Sequence, residues 1–139
     1  MKCLIDTNIF LDMILKREKF YNDSKKVLLY FEKNIKDFAF LSSSVLTDIY
    51  YIGRRKLSDN EMRRELGKIL LVFNLSDIDL QVAQTALFSA FDDFEDAVQN
   101  YSAVNADCDL IITRNKEDYV HSKLEIMTPT EFISNLTNS

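Results

Sequence analysis

Four acidic residues stand where the chain is predicted to turn from one element into the next: Asp6, Asp48, Asp96 and Asp118. Asp6 closes the apolar run Lys2-Cys3-Leu4-Ile5 and is followed by Thr7 and Asn8, residue types that cap helices. Open α/β sheets bind their ligands at the carboxyl ends of strands, so a carboxylate at that point is placed for chemistry. The usual catalytic alternatives are scarce, with one His, two Cys and two Gly in 139 residues. Glycine occurs only at positions 53 and 67, which excludes a P-loop or a GxGxxG turn and the nucleotide cofactors they hold. Any chemistry must run largely on carboxylates.

Each acid also has an ordinary reading. Asp6 could simply cap a helix, although Thr7 and Asn8 are available for that. Asp48 lies one turn beyond Ser44, where a carboxylate stabilises a helix start by ~0.3–1 kcal/mol through the macrodipole. In Asp92-Asp93-Phe94-Glu95-Asp96-Ala97, Asp92 and Glu95 have the spacing of a cap and its reciprocal acid, which leaves Asp96 spare. Asp92, Asp93 and Asp96 share a helical face, an arrangement that opposes helix formation unless something positive lies near. The fourth station, Thr113-Arg114-Asn115-Lys116-Glu117-Asp118, has the composition of a strand-exit turn. Asn115 there could bind a metal-bound water or a phosphate, Thr113 and Arg114 phosphate oxygens, and Asp118 a cation from outside.

Together they say more. Two carboxylates 4 Å apart repel by ~4 kcal/mol at an effective dielectric near 20. If Asp6, Asp48 and Asp96 converge, a hard divalent cation offsets that repulsion, and Mg²⁺ suits a site of few carboxylates and several waters.

The elements that must position them alternate. Residues 2–6 read as a buried strand and 20–34 as a helix. Phe38 to Leu41 is a second strand, running into Ser42-Ser43-Ser44 and a helix over 45–57 with Val45, Ile49 and Ile52 on one face. Ser58 and Glu61 have capping-box spacing ahead of Met62, Leu66, Ile69 and Phe73. A short strand is expected near Phe73–Leu75, and Asp79 can cap a helix burying Val82, Ala83, Ala86 and Leu87. A helix opening at Asp92–Asp93 buries Ala97, Tyr101 and Val104. Leu110-Ile111-Ile112 has the continuous apolar character of a central parallel strand. Leu124 to Met127 is the last strand, and Thr128-Pro129-Thr130-Glu131 opens the final helix. A single α/β domain over 1–139 follows, with a mostly parallel sheet between helices.

Hydrophobic content of 47 %, with 10 Phe and 6 Tyr, supports a real core. Three apolar residues before Asp6 make no signal peptide, and Ile69 to Phe73 is too short to cross a bilayer. Cys3 and Cys108, without CxxC spacing, read as reduced cytoplasmic thiols, and His121 as a surface residue. The net charge of −5 disfavours a broad nucleic-acid-coating surface, but Arg54-Arg55-Lys56 and Arg63-Arg64 form a local basic stretch.

The order Asp6-Thr7-Asn8, Thr47-Asp48-Ile49-Tyr50-Tyr51, Phe94-Glu95-Asp96-Ala97, Ile112-Thr113-Arg114-Asn115 resembles the PIN-domain family of VapC-type toxin ribonucleases. The resemblance runs on to Thr128-Pro129-Thr130-Glu131-Phe132. It implies a three-layer α/β/α sandwich and Mg²⁺- or Mn²⁺-dependent RNA cleavage that leaves a 5′-phosphate and a 3′-hydroxyl. Asp6 and Asp96 would be the principal ligands. Asp48 would stand where the family usually has Glu, and Asn115 at a fourth station held by Asp or Asn. Thr7, Asn8, Thr113 and Arg114 would position phosphate oxygens, with Arg54 and Arg55 at the rim. A small antitoxin protein and a homodimer are the implied partners, and no membrane is involved. Asp48 is one methylene short, ~1.5 Å of reach, and so would act through water; Asn115 brings no charge, with Asp118 the possible additional acid. Two other readings stand beside this one: a weak or inactive PIN-like module that binds RNA or protein, and a phosphoreceiver module in which one Asp is phosphorylated.

Overall fold

The computed structural model describes residues 1–138. Five strands, β1 (Lys2–Ile5), β2 (Phe38–Ser42), β3 (Asn74–Ser76), β4 (Leu110–Ile112) and β5 (Glu125–Met127), form one sheet in the order β3-β2-β1-β4-β5. Every pairing is parallel, in registers such as Leu4 beside Phe40 and Ile5 beside Ile112. The chain winds outward from β1 to β3, then crosses back to place β4 on the other side of β1. The switch point therefore lies between β1 and β4, and ligands of such sheets bind outside the strand ends there. A phosphoreceiver-type sheet runs 2-1-3-4-5, so this topology removes that reading.

Alternation along the central strands builds two cores. Cys3, Ile5, Leu110 and Ile112 face one layer of helices, where they meet α1 (Thr7–Ile14), α2 (Tyr21–Lys33), α3 (Ser43–Gly53), α4 (Asp59–Val72) and α7 (Pro129–Thr137). Phe10 meets Phe73 edge-on at 5.2 Å, and Phe31 stacks on Phe132 at 5.6 Å. Leu4 and Ile111 face the other side, with Ala103, Cys108 and Tyr119. That side carries α6 (Phe94–Asn105), and α5 (Leu80–Leu87) packs on α6 through Val82, Ala86, Ala97 and Val98. The result is the expected α/β/α sandwich, with a wholly parallel sheet.

Local signals set most boundaries. Capping boxes at Ser58/Glu61 and Thr128/Glu131 open α4 and α7, and Asp79 accepts the Val82 N–H at 2.8 Å. The helix expected over 45–57 starts at Ser43 and ends at Gly53, with hydrogen-bonded turns to Leu57. Gly53 stands at its end, where Met62 of α4 packs into the space a β-carbon would take. Phe73 caps α4, which moves β3 to Asn74–Ser76. Asp93, and not Asp92, caps α6. The helix for which Asp6, Thr7 and Asn8 offered caps is α1, whose bounds the sequence reading did not give, and a 3₁₀ turn at Lys116–Tyr119 was not anticipated. Both thiols are buried and free, burial pushing Cys108 up to about 12 and Cys3 upward too. Among the described residues no helix is long and apolar enough to cross a membrane.

Candidate active site

Asp6 sits on the switch point. Its N–H continues the sheet by donating to the Ile112 carbonyl at 3.0 Å, and its side chain is only 7 % exposed. Oδ1 accepts the Thr7 N–H at 2.7 Å, so Asp6 is itself the cap of α1, the ordinary role that Thr7 and Asn8 were expected to fill. Oδ1 also accepts Gln99 Nε2 at 3.1 Å, and Oδ2 accepts the Thr113 hydroxyl at 2.7 Å. A carboxylate offers about four lone pairs. Three are used, and the one left belongs to Oδ2.

Around it a cleft of about 390 Å³ is lined by Asp6, Thr7, Asn8, Asp48, Ile52, Asp93, Glu95, Asp96, Gln99, Asn115 and Asp118. Six of these are acids and none is a Lys, Arg or His. Asp48 comes from the second turn of α3; Glu95 and Asp96 come from the first turn of α6, which Asp93 caps by accepting the Asp96 N–H at 3.0 Å. Crowding shows in the proton affinities. Burial, then Asp93, Asp118, Asp6 and Glu95, push Asp96 up to about 7. Burial and a hydrogen bond to Asp48 push Glu95 upward, and burial with Glu117, Asp6 and Asp93 does the same for Asp118.

Such a shift makes stability depend on pH. Asp96 is raised from an unfolded value of 3.8 to about 7, so the folded chain holds its proton more tightly. Its contribution is complete below pH 4 and lost as pH rises through 7. The metal-free protein is expected to be more stable at pH 5 than at pH 8. The open cleft screens part of the effect, leaving on the order of 1–3 kcal/mol, and Mn²⁺ at pH 8 should recover it. Urea unfolding at both pH values, with and without Mn²⁺, checks this.

The donor set is hard oxygen throughout, as Mg²⁺ or Mn²⁺ requires. Among the described residues no three acidic, imidazole or thiol groups already close on one point as a finished cage. What the cleft adds are two buried oxygens without a protein partner, Thr7 Oγ1 and Gln99 Oε1. Asp6 can only accept, so the Gln99 nitrogen must face it and Oε1 must look elsewhere. The set fits a cation that keeps several waters.

Asp6, Asp48, Asp96, Asn115, Asp118, Thr7 and Asn8 are thus brought together. Thr113 is fully buried and turned onto Asp6, its hydroxyl also accepting the Asn115 N–H at 3.1 Å. Arg114 leaves the cleft altogether. Its guanidinium lies 3.8 Å over the Phe20 ring and is ion-paired at 3.0 Å with Asp12, which is wholly buried. It lines a separate cavity of about 290 Å³ with Lys19, Phe20 and Thr130. Arg17 joins the same network, reaching Asp12 at 3.4 Å and donating to Asn8 Oδ1 at 3.0 Å. The sequence reading missed Gln99, although it stands one turn beyond Asp96 on the same face. It also gave Glu95 to a cap that does not form, and overlooked Asp93 as a cleft acid.

The PIN domain model matches residues 2–117. Of solved structures, a toxin–antitoxin complex from Klebsiella pneumoniae is similar at a TM-score of 0.70 and 21 % identity, covering 91 % of this chain and 97 % of that one. VapBC2 from Rickettsia felis, bound to a promoter DNA fragment, is similar at 0.67 and 17 %, covering 92 % and 98 %. Mycobacterium tuberculosis VapC20, described as a sarcin–ricin loop cleaving toxin, is similar at 0.63 and 13 %, covering 78 % and 86 %. No curated protein matches in sequence. At these identities the structures speak for the fold alone; the family model spans most of the chain, and the chain belongs to the PIN domain family.

Proposed function

We propose that this chain is a Mg²⁺- or Mn²⁺-dependent endoribonuclease, and the toxin of a toxin–antitoxin pair working in the cytoplasm. One observation carries the reading: six carboxylates share a cleft at the switch point with no protein cation to balance them. A divalent cation bound there would lower the pKa of a bound water and polarise the scissile phosphate. Asp6 and Asp96 are the residues to hold it, Asp6 through the free lone pair of an otherwise fixed carboxylate. Asp48 orients or deprotonates the attacking water. Glu95 stands beside Asp48, its pKa raised by burial and by the hydrogen bond between them. Thr7, Asn8 and Asn115 present hydroxyl and amide groups to phosphate oxygens, Asn8 with its carbonyl already committed to Arg17. Thr113 and Arg114 serve by fixing the strand exit.

An antitoxin partner is supported by the similar structures that are themselves toxin–antitoxin complexes. Exposed Leu71, Phe88 and Phe94 are apolar surface for it or for a second copy of the chain. The test is incubation with single-stranded RNA and Mg²⁺ or Mn²⁺. Fragments with 5′-phosphate and 3′-hydroxyl ends are expected, and none with EDTA. A folded chain that takes up no Mn²⁺ at millimolar concentration by calorimetry would leave only a binding module.

A further inference from the structure

We infer that the solvent face of α3, from Asp48 through Tyr51 to Arg55, is the track on which single-stranded RNA lies as it enters the acidic cleft. The inference deepens the proposed ribonuclease reading and rests on it. A polyanion meets six acids in that cleft and no cation, so the charge that holds it must stand alongside. The α3 helix supplies it. Asp48 and Ile52 line the cleft, and Tyr51 and Arg55 follow Asp48 at the i+3 and i+7 spacings of one stripe. Helical turns persist past Gly53, with the Arg55 N–H donating to Ile52 at 3.2 Å and the Lys56 N–H to Gly53 at 3.0 Å. Arg55 therefore lies roughly 10 Å along the axis from Asp48, a span of a few nucleotides.

Tyr51 is 70 % exposed, yet it is not loose. Its ring meets Tyr50 at 90° and 5.0 Å, and the Tyr50 hydroxyl is anchored on Asp59. An exposed, braced ring offers a stacking platform that every base can use. Arg54, Arg55, Lys56, Arg63 and Arg64 stand within one short stretch of a chain whose net charge is −5. Arg63 is paired with Asp59, and Arg54 donates to the Leu57 carbonyl. Among the described residues no carboxylate pairs with Arg55 or Lys56, so these two charges remain for a phosphate backbone. A braced aromatic beside uncommitted cations is the arrangement that holds single strands without sequence preference.

The test uses the full chain carrying Asp6→Asn, so that RNA stays intact. A short fluorescein-labelled single-stranded RNA is titrated by anisotropy between about 50 and 200 mM salt. Tyr51→Ala should weaken binding roughly five- to fifty-fold without changing the salt slope, and Tyr51→Phe should restore it. Arg55→Gln should lower the slope of log affinity against log salt by about 0.7, whereas Lys26→Gln on α2 should not. Thermal melting confirms that each variant is folded. Unchanged affinity and slope in both α3 variants would overturn the track and leave that face to a protein partner. In that case cleavage by the parent chain would still support the ribonuclease reading. Binding through the track with no cleavage by the parent would overturn the ribonuclease reading instead.

Discussion

Asp6→Asn and Asp96→Asn are each expected to reduce metal-dependent RNA cleavage about 10³-fold or more, a loss of ~4 kcal/mol in transition-state stabilisation. Both changes keep shape and remove one negative charge from the cation's seat. Asp6 has the sharper case, because an amide nitrogen in place of Oδ2 removes the one lone pair left for a cation and faces the Thr113 hydroxyl with its own hydrogens. The two variants should part company in stability. Asn at 96 relieves repulsion from Asp93, Asp118, Asp6 and Glu95, so the metal-free variant should melt higher than the parent at pH 8. Asn at 6 keeps an oxygen for the cap but puts an amide nitrogen against the Thr113 hydroxyl and replaces an ionised acceptor by a neutral one, so it should melt lower. Activity falling in both while stability moves in opposite directions separates a cation site from a structural acid cluster. Cleavage at parental rates in folded variants would end the assignment.

The largest stability effect is expected away from the cleft. Asp12 is wholly buried, accepts the Ser24 hydroxyl at 2.9 Å and faces both Arg17 and Arg114. Burial pushes its pKa upward, against the hydroxyl and the two guanidiniums that hold it down. Removing one partner of a buried pair leaves the other charge uncompensated, which costs ~3–5 kcal/mol. Asp12→Ala should therefore lose about 3 kcal/mol or more in urea unfolding, while Lys68→Ala, whose pair with Glu65 is exposed, should change little. The loss should also reach activity. Arg114 stands between Thr113, which holds Asp6, and Asn115, which lines the cleft. Freed from Asp12 and Phe20, that turn no longer fixes the central carboxylate.

What could be read in the sequence follows from where its signals are local. Capping boxes, the Asp79 cap and the apolar run 110–112 are complete within a few residues, and those elements stand where expected. Helix α1 offered cap-type residues at its start but nothing to mark its end. Ile9, Phe10, Leu11 and Asp12 are buried in succession over a helix of only eight residues, too short a run to set its bounds by period. The turn at 116–119 is a single charged turn and reads as loop. Asp6, Asp48, Asp96 and Asp118 were legible by type because carboxylates at element ends are conspicuous in a chain with one histidine, whereas Asp93 and Glu95 were hidden in an acidic run that reads as a helix cap. Gln99 was not legible, since its importance lies in contact with a residue 93 positions away. Arg114 looked like a phosphate contact because its cation–ring stack and its buried counter-charge are both tertiary.

The two sides of the cleft belong to parts of the molecule with different anchorage. Asp6 is spliced between the middle strand and a helix with five of its eight residues buried, whereas Glu95 and Asp96 ride on a small satellite layer joined to α5. Amide protons around Asp6 should exchange with solvent only when the whole molecule opens, and those of α5 and the start of α6 through cheaper, partial openings. On the proposed ribonuclease reading, cut strands would leave as one wall loosens while the other keeps its shape.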